Sequence, residues 1–310
     1  MSFSTETKTE LTRLALHSKI EALLELAAMA RLGGTMRIAA GATTLRFISE
    51  HPDVIGRVAG LTRFLYGIDL DVHEQRNDRL QKHPIFYSDL PEEQMEVLLA
   101  ESGVDLFGRP LSTEESLFGR LAPENHARAY LRGAFLASGS IVDPVKSYHM
   151  EIVVRSALDA RMVETSGATL RLPLKQTRRG EEFVFYLKDS EAIADALVSL
   201  GASAAMLALE NVKAQKEVSN EINRKSNAEI ANLDKQYRAA LQQIRAIRWI
   251  DRHQGLASLP KGLQDLAAAR LARPMANMRE LGESMTPPLG KSGVMHRMRR
   301  LMDIAREEET

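Results

Sequence analysis

Apolar residues recur every three or four positions in several stretches of the chain, and shorter alternating stretches lie between them. The spacing of Leu11, Leu14, Ile20 and Leu24 predicts one amphipathic helix over residues 8–32, which Gly33-Gly34 ends. The pattern then predicts strands at 36–40 and 43–48 around a turn at Gly41-Ala42, a helix at 51–66, strands at 70–75 and 83–87, and a helix at 92–102.

The same order of elements returns further along the chain. The pattern predicts a helix at 124–137, strands at 141–142 and 149–155 around Asp143-Pro144, a helix at 157–165, a hairpin of strands at 170–174 and 182–187 around Arg178-Arg179-Gly180, and a helix at 190–200 with Asp189 or Ser190 as N-cap. Each half is thus predicted to be αββαββα. The fold class is α+β with an internal duplication.

The C-terminal part of the chain has helical patterns only. Predicted helices lie at 259–271, at 276–282 with Gly282 as a cap, and at 291–306, where Val294, Met298, Leu301 and Ala305 form an apolar stripe. A short second helix and a longer third helix are typical of a helix-turn-helix. The predicted segments are a first half at 1–105, a connector at 106–122, a second half at 123–209, a polar, asparagine-rich linker at 210–251 that becomes helical, and an all-α domain at 252–310.

Composition excludes some kinds of chemistry. The chain has no cysteine, which rules out disulfides, thiolate catalysis and cysteine-based zinc sites. The polar N-terminus and the absence of an apolar run long enough to span a bilayer predict a soluble, cytoplasmic protein with no membrane partner.

Charge is distributed unevenly, although its formal sum is zero. Residues 211–310 carry 18 Lys and Arg against 12 Asp and Glu, whereas residues 1–210 are acidic. In the last predicted helix, Lys291, Arg297, Arg299, Arg300 and Arg306 face a single acid, Asp303. Arginine suits both guanine edges and phosphates, and Ser292 at the helix N-terminus can hold a phosphate. The partner predicted from these residues is double-stranded DNA.

The opening helices of the two halves end alike, in small residues such as Ala27, Ala28, Gly133 and Ala137 that allow close helix packing. In this respect the chain resembles the LAGLIDADG homing endonucleases, whose paired motif helices form such a seam and carry a metal-binding acid near each motif end. Those positions fall here on Gly33 and Ser138, and neither residue is a carboxylate. The resemblance therefore implies a LAGLIDADG-like domain that has lost its metal ligands.

Other acidic residues are weak substitutes for these ligands. For Asp143, Glu151 and Asp159 we favour turn and surface roles, and for the pair of His149 with Glu151 a packed position on a strand. We therefore predict no catalytic residue, no metal site and no cofactor.

A second resemblance covers nearly the whole chain. Its characteristic segments are 128–137, 148–151, 186–189, 223–233 and 291–297, and with them the chain resembles the WhiA family. The resemblance implies a bacterial regulator of sporulation or cell-division genes, or a factor in division and chromosome segregation, with a LAGLIDADG-like domain tethered to a helix-turn-helix. Gly290 and Met295 depart from the residues usual in that family, which leaves the base preference open.

Three hypotheses follow from the sequence. The first is a DNA-binding regulator that is not an enzyme, with DNA contacts at Lys291, Ser292, His296, Arg297, Arg299 and Arg300. The second is a protein-interaction factor of the division machinery that docks through its N-terminal domain and binds DNA secondarily. The third, an active homing-type nuclease using substitute acids, is the weakest.

Overall fold

The computed structural model describes residues 2–39, 42–76, 84–104 and 109–307. The predicted turn residue Gly41, the predicted strand start at His83 and residues 106–108 of the predicted connector lie outside this part. The chain divides into two compact units, residues 1–216 and 217–310.

The first unit contains two halves with the same order of elements. The first half consists of α2 (Lys19–Gly33), β1 (Gly34–Ala39), β2 (Ala42–Ser49), α3 (Pro52–Tyr66), β3 (His73–Gln75), β4 (Ile85–Pro91) and α4 (Glu92–Ser102). The second half consists of α6 (Glu124–Ser138), β5 (Gly139–Ile141), β6 (Met150–Val154), α7 (Ala157–Thr169), β7 (Lys175–Arg179), β8 (Glu182–Leu187) and α8 (Ser190–Leu200). Two further helices, α1 (Phe3–Thr12) and α5 (Glu114–Gly119), precede the halves.

Each half forms a four-stranded antiparallel sheet with the same topology. The strand orders are β1-β2-β4-β3 and β5-β6-β8-β7. One face of each sheet is buried in the core, as shown by the paired positions Leu45 with Leu90 and Ile152 with Phe185. The predicted duplication of αββαββα halves is confirmed.

The predicted helix over residues 8–32 is wrong in one respect, because the chain forms two helices there. Helix α1 ends at Thr12, and α2 begins at Lys19 with Ser18 as its N-cap, whose hydroxyl accepts from the Glu21 amide at 3.4 Å. A non-helical segment between α1 and α2 interrupts the apolar spacing, and it is held in part by the guanidinium of Arg57, which donates to the carbonyl of Leu14 at 2.5 Å.

The predicted strand at 170–174 is also wrong. Leu170, Leu172 and Leu174 alternate like a strand, but they follow α7 in a turn in which the Leu172 amide donates to the Gly167 carbonyl at 2.9 Å. The true strand, β7, is fully exposed and polar, so hydrophobic alternation gives no signal for it.

Other boundaries also differ from the prediction, and three of these differences change the order or extent of elements. The strand predicted at 70–75 is limited to β3, and the connector contains α5. The predicted linker lies inside one helix of 51 residues, α9 (Ser203–His253). The second unit is completed by a short 3₁₀ helix (Leu256–Ser258), α10 (Lys261–Ala272), α11 (Met278–Glu283) and α12 (Lys291–Glu307).

The packing of α2 against α6 depends on small residues. A Cβ atom on Gly133 would lie well inside van der Waals contact of the Glu25 carbonyl oxygen and 3.0 Å from Cβ of Ala28. At the other end of the seam, a Cβ on Gly33 would lie 3.2 Å from that of Ala137. The backbones of α2 and α6 therefore approach each other closely along this interface.

A buried ion triad joins the same helices. Glu25 of α2 is completely buried, and its carboxylate accepts from Arg57 of α3 at 2.7 and 3.0 Å. It also accepts from Nε of Arg132 on α6 at 2.8 Å. A second ion pair crosses between the halves, from Arg31 of α2 to Asp159 of α7 at 2.5 Å.

Gly133→Ala is expected to lower the free energy of unfolding by about 1–3 kcal/mol, because the added methyl group overpacks a backbone contact. Urea unfolding of the full chain measures this change. The matched control is Gly56→Ala in α3, where an added Cβ meets nothing within 4 Å. That substitution should stabilise the protein by about 0.5–1 kcal/mol, since alanine is the better helix former. Equal effects at the two glycines would contradict the close approach of α2 and α6.

Glu25→Gln is expected to cost about 3–5 kcal/mol in the same measurement, because two buried guanidinium groups lose their counter-charge. Glu191→Gln is the control. The Glu191 carboxylate is 79% exposed and pairs with Lys213 at 3.5 Å, so its removal should cost less than about 0.5 kcal/mol. A loss at Glu25 no larger than the loss at Glu191 would refute the structural role of the triad.

Candidate nucleic-acid interface

Helix α12 is held in the second unit by its apolar stripe. Val294, Met298, Leu301 and Ala305 are all buried, as the helical spacing predicts. They pack in one core with Ile247 and Ile250 of α9, Leu263 and Leu266 of α10, and Leu281 of α11. The stripe leaves the opposite face of α12 to solvent.

The turn between α11 and α12 is set by a close backbone contact. Asn277 caps α11 in a capping box with Glu280. Gly282, predicted as a cap, lies instead inside α11, where its carbonyl accepts from the Leu289 amide at 2.9 Å. A Cβ on Gly282 would overlap the carbonyl of Leu289, so a larger residue would push α12 away from α11.

Five of the six predicted contact residues on α12 are exposed. These are Lys291, Ser292, His296, Arg299 and Arg300. Ser292, His296 and Arg299 have the spacing i, i+4, i+7 and therefore share the face opposite the buried stripe. Within the residues that the structure describes, Lys291, Arg299 and Arg300 have no carboxylate within 4 Å.

Arg297 differs from the other five residues. It is half-buried, and its Nη1 donates to the carbonyl of Gly262 at the start of α10 at 3.3 Å. A Cβ on Gly262 would lie 2.9 Å from that same nitrogen. The side chain of Arg297 therefore helps to dock α12 on α10, a role that its sequence position did not reveal.

The two departures from the family pattern lie at the same end of α12. Met295 is exposed beside His296, so an apolar side chain borders the polar face. Gly290 precedes the helix, and a Cβ there would meet nothing within 4 Å. Its amino-acid type is therefore not dictated by packing.

In the first unit, the motif ends hold no cluster of acidic side chains. Ser138 donates to the carbonyl of Ala134 at 3.2 Å, and Gly33 packs on Ala137. Among the described residues, no group of three His, Asp or Glu side chains is arranged to hold a metal ion.

Each acid considered as a substitute ligand has a local partner. Asp143 accepts from the amide of Val145 at 2.9 Å, and Asp159 pairs with Arg31. Burial alone would raise the pKa of Glu151, but hydrogen bonds from His149 at 3.1 Å and Arg179 at 3.2 Å outweigh it and lower that pKa. The turn role favoured for Asp143 agrees with its contact, whereas the surface role does not fit Asp159, which is buried in its ion pair with Arg31.

Two arginines at the sheets of the first unit, Arg46 of β2 and Arg155 next to β6, are paired with acids. Arg46 binds Asp89 through two hydrogen bonds of 2.7 and 2.6 Å, which raise the pKa of Arg46 and lower that of Asp89. Arg155 pairs with Glu182 at 3.1 Å. Arg299 and Arg300 of α12 differ from these two arginines, because neither has a carboxylate within 4 Å in the described part of the chain.

One group of cations was not predicted from the sequence as part of the DNA contact. Arg245, Arg248 and Arg252 lie on α9, within the segment treated as a linker and its end, and all three are exposed. They line a shallow cleft with Met302 and Arg306 of α12. The signal was their i, i+3, i+7 spacing, which marks one helical face.

No helix in the described ranges is both long and apolar enough to cross a membrane.

The duplicated α+β unit and the helical unit define a class, a LAGLIDADG-like domain followed by a helix-turn-helix. Three family models match the chain in that order: the WhiA N-terminal LAGLIDADG-like domain at residues 19–105, the WhiA LAGLIDADG-like domain at 127–219, and the WhiA C-terminal HTH domain at 222–305. The chain belongs to the WhiA family.

Relatives of nearly equal length support this assignment. A protein of Clostridium botulinum named "Probable cell division protein WhiA" is 36% identical and covers 99% of this chain and 98% of its own length. One of the same name from Desulfitobacterium hafniense is 38% identical, with 100% and 97% covered. The crystal structure of full-length DUF199/WhiA from Thermotoga maritima has a TM-score of 0.59 at 22% identity over 99% of both chains, which shows the shared fold.

Arg297→Ala is expected to lower the free energy of unfolding of the second unit by about 1 kcal/mol, because it removes a half-buried hydrogen bond to the Gly262 carbonyl. Arg300→Ala, which removes an exposed charge of the same helix, should change it by less than about 0.5 kcal/mol. Urea unfolding followed by the fluorescence of Trp249 measures both variants. Indistinguishable values would contradict the docking role of Arg297.

Proposed function

We propose that this protein is a sequence-specific DNA-binding regulator whose main DNA contact is helix α12. The observation that carries this proposal is the exposed face of α12, where Lys291, Arg299 and Arg300 have no acidic partner among the described residues. An exposed helix of this kind fits the major groove, with Ser292 and His296 near its N-terminal end to meet base edges or phosphates.

The division of charge supports the placement of DNA affinity in the second unit. Binding to duplex DNA depends largely on cations that replace condensed counterions on the phosphates. Arg46 of β2 and Arg155 next to β6 already have carboxylate partners, so phosphate binding by these two arginines would have to break ion pairs. Phosphate binding by Arg299 and Arg300 would break no ion pair with a described residue.

For the first unit we propose a scaffold without nuclease activity. Gly33 and Ser138 occupy the motif ends where the LAGLIDADG resemblance expects acids, and Asp143, Glu151 and Asp159 have partners that explain them structurally. Its contribution would be to contact DNA or another protein through its folded surface.

The biological setting follows from the family. Relatives are named probable cell division proteins, and the resemblance implies genes of sporulation, division or chromosome segregation. We therefore propose a transcriptional regulator acting on the nucleoid in the bacterial cytoplasm.

A second candidate function is protein interaction with the division machinery. It is favoured by exposed apolar side chains on α9, among them Val218, Ile222, Ile230 and Leu233. Such residues at helical spacing are suited to a partner helix. The two functions are compatible, because these side chains and the cations of α12 are different residues.

Arg299→Ala combined with Arg300→Ala is expected to weaken binding to duplexes recovered by genome-wide mapping and to reduce the slope of log K against log salt by about 2, one unit for each lost phosphate contact. If either arginine contacts a base, preference over a scrambled duplex also falls. Fluorescence anisotropy across a salt series measures both quantities.

The control variant combines Arg155→Ala with Arg179→Ala on the second sheet of the first unit. It removes the same charge, and its affinity and salt slope should remain those of the parent protein. A loss of binding in this sheet variant but not in the α12 variant would move the DNA contact to the first unit. Normal DNA binding by the α12 variant, together with loss of division function in cells, would favour the protein-interaction candidate.

A further inference from the structure

Helix α9 has one buried face and one cationic face in its last turns. Ile244, Ile247 and Ile250 are buried in the second unit. Arg245, Arg248 and Arg252 lie on the other side, at the spacing i, i+3, i+7, and are exposed. Because the isoleucine face anchors the helix, the arginines project from a rigid support. We refer to these three residues as the arginine row.

The row differs from the earlier turns of the same helix. There, Lys225 pairs with Glu221 at 2.8 Å and Arg238 pairs with Asp234 at 2.9 Å. In contrast, no member of the arginine row has a carboxylate within 4 Å in the described part of the chain. The positive charge of the row is therefore available to an external anion.

The row lies beside the C-terminal half of α12. Its three arginines line a shallow cleft of about 470 Å³ together with the half-buried Trp249 and with Met302, Ala305 and Arg306 of α12. All of these residues belong to the second unit. The cations of α9 and the DNA-facing helix thus border the same surface depression.

We propose that the arginine row is a second DNA contact, which binds backbone phosphates next to the segment that α12 contacts. This inference rests on the proposed function of α12. The charge and the length of the arginine row both indicate DNA as the bound molecule. The seven helical steps from Arg245 to Arg252 rise about 10 Å, and a DNA strand presents a phosphate every ~3.4 Å along the duplex axis.

Guanidinium groups suit phosphate oxygens because their N–H groups donate in a planar fork. Phosphate contacts carry no base preference and fix the orientation of the protein on the duplex. The arginine row would therefore raise affinity for every duplex and hold α12 in register in the groove, while α12 distinguishes between sequences.

The test is the triple variant Arg245→Ala, Arg248→Ala and Arg252→Ala in the full chain. Alanine favours helix, so α9 should persist, and far-UV circular dichroism checks that it does. We expect affinity to fall roughly 10- to 100-fold at 0.15 M salt and the salt slope to fall by about 2–3. The fall should be equal for a mapped binding site and for a scrambled duplex, so their affinity ratio stays unchanged.

The matched control is Lys225→Ala, Lys235→Ala and Arg238→Ala, which removes the same formal charge from the exposed surface of the same helix. It should leave affinity and salt slope nearly unchanged. An equal loss in the control would show a general charge effect and overturn the inference. An unchanged slope in the row variant would overturn it as well.

The outcomes separate this inference from the proposed function. If substitution of Arg299 and Arg300 weakens binding but substitution of the row does not, the inference alone fails. If neither variant changes binding, both fail. If the row variant binds duplex normally but loses affinity for single-stranded RNA of the same length, the row serves RNA, and the inference is again overturned.

Discussion

The first unit depends on one buried carboxylate. Glu25 is completely enclosed, and the removal of an ionised group from water costs several kcal/mol unless other charges and donors replace the solvent. Arg57 supplies two of these donors from the same half, and Arg132 supplies the third from the other half. The first half alone cannot provide the hydrogen bond from Arg132. The two halves must therefore come together for the buried carboxylate of Glu25 to receive all three of these hydrogen bonds. We infer that the unit folds as a single cooperative body.

The same place in the seam imposes the close approach of the helices. Gly133 lies one residue after Arg132, and its missing side chain lets the backbone of α6 approach the carbonyl of Glu25. A larger residue there would separate the helices and lengthen the bonds between Arg132 and Glu25. The small residues at this contact are therefore needed for the ion triad to form. The acid at this seam is engaged in holding helices together, and the motif ends at Gly33 and Ser138 are occupied by packing and a backbone hydrogen bond.

The sequence predicted those features that repeat locally. The duplicated order of elements and the stripe from Val294 to Ala305 both follow from the period of a strand or a helix, and both are confirmed. The ion triad could not be predicted in this way, because Glu25 is 32 residues from Arg57 and 107 from Arg132, and each charge looks like an ordinary surface residue. Strand β7 was missed for the opposite reason, since an edge strand exposed on both faces has no apolar period.

At the candidate interface, too, local periodicity did not predict the long-range contacts. Periodicity identified the buried side of α12, and by exclusion its exposed side, but it could not separate Arg297, which bonds to Gly262, from Arg299 and Arg300, which reach solvent. It also treated α9 as a linker, although the core of the second unit requires Ile247 and Ile250. Because those residues fix the rotation of α9, they also fix the direction of Arg245, Arg248 and Arg252. The packing that completes the hydrophobic core therefore also determines which cations accompany α12 at the surface.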